Sequence, residues 1–179
     1  MADATQERLA LTRRINRLVF AEYASVGWFK ATTLGDLLAY AAGPDEEVVR
    51  AYDRDPHDPA RDRDLIRVFL GEWLVCHHPE SMGTYALEAE PFRRVDRAEA
   101  LAAVQGIAAA SIDSGGEIGG CLDWLTPVSD AEAADVPYSQ LPRWFAALFG
   151  SDSRFYLRDD GGPWVVGLAP DAVGMMWME

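Results

Sequence analysis

Residues 153–170 read SRFYLRDDGGPWVVGLAP. Two β-prone runs, Arg154–Arg158 and Trp164–Leu168, flank the turn residues Asp159-Asp160-Gly161-Gly162. Aromatic and β-branched residues on either side of an Asp/Gly turn are a strong local signal for an antiparallel hairpin. One of Gly161 and Gly162 is expected to take a positive φ, which side chains with a Cβ resist. Trp164 is expected to pack onto the helix that carries Trp144. The tail DAVGMMWME is apolar enough to fold back as a strand or a helical turn.

The rest of the chain reads mainly as helix. Leu11, Ile15, Leu18 and Val19 recur at helical spacing within 5–24, with Arg13, Arg14 and Arg17 mostly off that stripe. Gly27 marks a stop. Thr33 then caps a short helix ended by Gly43, and Pro44 opens another with Asp45, Glu46 and Glu47 in its first turn. Residues 53–64 (DRDPHDPARDRD) are a polar loop, followed by a helix from about Asp64 to His78 that Pro79 ends. Residues 84–95 alternate loosely as a strand whose Pro91 suits a sheet edge. Asp96 caps an Ala-rich helix to about Ala110, and 138–150 form one more helix. The expected fold is a single α+β domain over 1–179. It is helix-rich through 1–110, with a loop, a helix and the hairpin in 111–179.

Charge narrows the classes of partner. Sixteen bases against 29 acids give a net −13, divided as −3, −4 and −6 over 1–60, 61–120 and 121–179. Such a field opposes nucleic acid and anionic membranes and favours cations or basic proteins. Fifteen of the bases are Arg and Lys30 is the only Lys, a bias that suits a high-GC bacterial genome. Two cysteines make no disulfide framework. The first twenty residues alternate charge with apolar side chains and lack a signal-peptide core, and no apolar run is long enough to span a bilayer. The expectation is a soluble cytoplasmic protein.

Cys76, His77 and His78 are adjacent, and on a helix adjacent residues diverge by about 100°, so they do not share one ion. Cys76 falls on the stripe of Leu65, Phe69 and Trp73, which reads as core. The glycines of 115–120 lack a following Lys-Ser/Thr and do not match G-x-G-x-x-G, so they read as a flexible loop. The aspartates of 53–64 miss the Gly and Glu of a calcium loop. No nucleophile elbow is present. These patterns assign no catalytic residue, no metal site and no cofactor.

The remaining signal is aromatic side chains among carboxylates. Trp124 is followed by Asp130, Glu132 and Asp135, and Trp164 adjoins Asp159 and Asp160. Apolar anchors inside a negative rim suit a basic protein partner, whereas ordinary burial tendencies make the same Trp residues core. In class the chain resembles small acidic immunity and antitoxin-type inhibitors, though no motif is matched. The leading expectation is a non-catalytic protein-binding domain. The alternative is a ligand-binding domain or small enzyme gated by the glycine loop 113–120. A homo-oligomer formed through exposed aromatics is a third.

Overall fold

A computed structural model of the chain describes residues 4–16, 27–41, 55, 58–74, 92–113, 141–159 and 163–178. They fall in two compact units, Met1–Thr32 with Arg93–Glu179, and Thr33–Phe92. The fold is α+β, as its composition of elements requires: helices together with a five-stranded sheet.

In the first unit, helix α1 spans Ala4–Asn16 and strand β1 spans Gly27–Thr33. Strand β2 covers Arg93–Val95. After the second unit's elements, named below, come helix α4 (Arg97–Asp113) and helix α5 (Leu141–Leu148). Strands β3 (Arg154–Arg158), β4 (Trp164–Leu168) and β5 (Ala172–Met178) complete the chain. The sheet order is β1-β5-β4-β3-β2. Pairs β2–β3, β3–β4 and β4–β5 are antiparallel. The hairpin pairs Arg158 with Trp164 and Arg154 with Leu168, the boundaries the sequence predicts. The tail resolves into a strand. Its side chains Ala172 to Trp177 are all buried, which suits a strand inserted between β4 and β1.

The helices bury one stripe each. On α5, Leu141, Trp144, Phe145 and Leu148 recur at i, i+3, i+4 and i+7 and are buried. On α4, Ala100, Val104, Ile107 and Ala108 recur at i, i+4, i+7 and i+8 and are buried. Asp96 starts α4 as expected: its Oδ1 accepts from the Glu99 amide at 2.8 Å, satisfying one orphan donor of the first turn. These stripes meet Phe29, Ala31, Phe155, Leu157, Val165 and Met176 in one core. Phe145 lies at its centre, with ring centroids 4.8 Å from Phe149, 5.6 Å from Phe29 and 6.3 Å from Phe155.

Two glycines shape the sheet for that core. Gly167 and Gly174 are register partners on β4 and β5. A Cβ at 167 would lie 2.5 Å from ring carbons of Phe149; at 174 it would lie 2.7 Å from the Ala31 Cβ and 3.0 Å from Phe149 Cζ. The missing side chains form a dimple in which the Phe149 ring rests. This close approach, not a turn, explains both glycines.

The second unit contains helix α2 (Leu34–Ala41), helix α3 (Pro59–Val68) and a π-helical continuation of α3 over Phe69–Leu74. Thr33 caps α2 as read from the sequence, its Oγ1 accepting from the Asp36 amide at 3.0 Å. The expectation of a polar loop through 53–64 is corrected, because α3 begins at Pro59. Asp58 is the N-cap, accepting from the Ala60 amide at 2.9 Å, and Pro59 takes the first helical position, where its missing N–H costs nothing. The π turn carries buried Phe69 and Leu70.

Strand β1 was not anticipated. Phe29 and Ala31 lie in the helix-side core, while Lys30 and Thr32 are also buried, at 0% and 2% exposure. The apolar–polar alternation Phe29-Lys30-Ala31-Thr32 is only four residues long, and its polar members are buried rather than solvent-facing. The stretches expected as helix at 17–24 and 42–52, as strand at 84–91 and as loop at 114–137 lie outside the described residues. So do the tips of the hairpin turn, Asp160 to Gly162, and Cys76, His77 and His78.

Candidate functional site

The hairpin carries the described part of the expected contact set, and its register decides what each residue does. Side chains alternate across β3 and β4. Phe155, Leu157 and Val165 point into the helix-side core. Arg154, Tyr156, Arg158, Trp164, Val166 and Leu168 therefore occupy the opposite face of the sheet.

That placement corrects the expectation for Trp164. It does not pack onto α5, the helix of Trp144. It stacks on Trp177 instead, with centroids 5.9 Å apart and 23° between planes. The guanidinium of Arg158 lies 5.6 Å above its ring, a cation–π contact. Trp164 is 2% exposed, so it is a core side chain and presents no indole to a partner. The reason is its place as first residue of β4: one step along the strand reverses the face, and Val165 takes the position beneath the helices.

Asp159 stands at the other end of the expected set. It is exposed, with 66% of its side chain accessible, and lies 3.5 Å from the Arg93 guanidinium. Arg93 also donates to Glu99 Oε1 at 2.7 Å. The Glu99 hydrogen bond is the main cause that holds the Arg93 pKa above the usual guanidinium value, with Asp159 adding to it. This trio joins β2, the first turn of α4 and the hairpin turn. Trp124, Asp130, Glu132, Asp135 and Asp160 lie outside the described residues.

A second charged cluster sits where the α5–β3 and β4–β5 connections meet α1. Arg8 donates to Asp171 Oδ1 at 2.7 Å and lies 3.5 Å from Asp152. Burial lowers the Arg8 pKa, and the hydrogen bond and charge of Asp171, helped by Asp152, outweigh it, so the net shift is upward. All three described carboxylates after residue 140, Asp152, Asp159 and Asp171, are thus ion-paired to Arg8 or Arg93. Sequence reading missed these pairs because the partners are 66 to 163 residues apart. In sequence, residues 114–140 hold Glu117, Asp123, Asp130, Glu132 and Asp135 and no Arg or Lys.

Among the described residues no group of three or more His, Cys, Asp or Glu is arranged to hold a metal ion. No helix among them is long and apolar enough to cross a membrane. Comparison with protein-family models, with curated proteins and with solved structures finds no match to this chain.

Proposed function

We propose that the protein is a non-catalytic binding domain that holds a basic protein partner by charge, in the manner of an inhibitor or immunity protein. The observation that supports it is the five-carboxylate, base-free stretch 114–140 in a chain of net charge −13. The burial of Trp164 changes the form of the reading. The contact rests on Asp130, Glu132 and Asp135, with Trp124 as the aromatic of that stretch, and the hairpin end contributes Asp159 and Asp160 at most as rim. Rim acids of this kind speed encounter more than they tighten the final complex.

The test is capture from the native host followed by kinetics. A basic protein should be retained by the tagged chain, and its association rate should fall steeply with salt as the Debye length shrinks from about 10 Å at 0.1 M to about 3 Å at 1 M. Capture of acidic or neutral partners alone, or a salt-insensitive association rate, contradicts the reading. Stoichiometric retention of a small molecule instead would favour a ligand pocket gated by the glycine loop 113–120.

A further inference from the structure

Lys30 is the one lysine in the sequence, and it is 0% exposed. Lysine ordinarily lays its stem along apolar surface and keeps its ammonium in water; full burial is the exception and goes with pairing. Lys30 has an interaction of its own within the chain. Its place on the sheet accounts for the burial. Phe29 and Ala31 belong to the helix-side core, so alternation along β1 puts Lys30 and Thr32 on the opposite face. Over β5 and β4 that face carries Trp177, Met175, Val173, Trp164 and Val166, each at most 2% exposed. Yet β1 is an outer strand in the order of the sheet, joined to it through β5. Separation of β1 from β5 carries Lys30 out of the closed face.

We propose that Lys30 is a fold-gated acylation site: an acyl thioester reaches its amine only when β1 leaves the sheet, and the acylated chain does not close again. The thioester is the sole co-reactant. The unprotonated amine attacks the acyl carbon, the C–N bond forms, the C–S bond breaks, and the thiol leaves with the amine's proton. Two properties of the closed state make the step one-way. The acyl group adds volume to a side chain that has no accessible surface, and close-packed interiors resist added volume. Acylation also removes the charge and most of the N–H donors on which a buried lysine depends for its pairing. With no second lysine in the sequence, lysine acylation is confined to chains that have opened.

Pulses of succinimidyl acetate on the full chain test this, with Arg143→Lys supplying a reference amine at an exposed position of α5. Mass spectrometry reads both sites in the same molecules. In native buffer Lys30 should react at least about a hundredfold more slowly than the reference, as expected of a group reached only through opening. Urea should bring the two rates together. Near-ultraviolet circular dichroism of the Trp164–Trp177 stack reports on the face that holds Lys30. In urea below the unfolding transition, that signal should survive acetylation at position 143 and be lost in step with acetylation at Lys30. Reaction of Lys30 within about threefold of the reference in native buffer overturns the proposal, since no opening would then be needed. Chains acetylated at Lys30 that keep the native signal overturn it equally.

Discussion

The two faces of β3, β4 and β5 are built from the same strands and the same register, yet they solve different problems. Beneath the helices, Gly167 and Gly174 remove two side chains so that Phe149 can rest on the backbone, and the surrounding rings are apolar throughout. On the other face, Trp164 and Trp177 fill the space themselves, and the row ends in Arg158. The first face is specified by shape, so its tolerance for volume change is small in either direction. The second is specified by stacking that grades into charge, so apolar substitutions toward its Trp164–Trp177 end act on stability.

The sharpest break of that contrast is at Phe149. Phe149→Ala should cost about 3–5 kcal/mol in denaturant unfolding, because it empties the dimple and leaves a cavity. Gly167→Ala should cost about 1–3 kcal/mol by overpacking against the same ring. The double variant should be less destabilised than the two losses added together, since removing the ring also removes the clash. Additive losses would mean that the ring does not rest on Gly167.

On the opposite face, Trp164→Ala should also cost on the order of 3 kcal/mol in stability, as for a buried aromatic truncated in a core. Its native fluorescence should resist quenching by iodide. Ready quenching would place the indole at the surface and restore it as a contact residue.

Smaller effects report on the helix ends and clamps. Asp96→Ala should lower stability by about 1 kcal/mol through loss of the α4 cap, with Asp96→Ser recovering most of it. Arg8→Gln should cost about 0.5–1 kcal/mol, and the loss should shrink with added salt, as expected of a largely surface ion pair. The upward shift at Arg8 comes from its pairing with Asp171 and Asp152, and its stabilisation is lost on the alkaline side only as pH rises through the raised value, so this loss should persist unchanged through neutral and mildly alkaline pH.

What was legible in the sequence follows from the range of the interaction. The hairpin boundaries, the Thr33 and Asp96 caps and a helix within 138–150 are set by residues a few positions apart, and all appear where the pattern places them. β1 is hard to read because its alternation, Phe29-Lys30-Ala31-Thr32, is short and begins at Gly27, which in sequence looks like the stop of the preceding helix. The start of α3 is obscured in the sequence because Pro59 acts as a helix opener behind Asp58, whereas proline in a polar run looks like a breaker. The face that Trp164 takes is not legible, because the sequence shows that the strand exists and does not show which face meets the helices. That choice is made by Phe155, Leu157 and Val165 together. Ion pairs such as Arg8–Asp171 are invisible at their separation of 163 positions.

The central claim is that acidic charge, and not the Trp164 indole, carries recognition of a basic partner. The most direct measurement compares association and dissociation rates of the partner captured from the native host. It sets the wild type beside Trp164→Phe and the combined Asp130→Asn, Glu132→Gln, Asp135→Asn variant, at low salt. The triple variant should associate several-fold more slowly, with its dissociation rate little changed. Trp164→Phe should lower thermal stability and leave both rates unaltered in the folded protein. A raised dissociation rate for Trp164→Phe together with unchanged association for the triple variant would contradict the account.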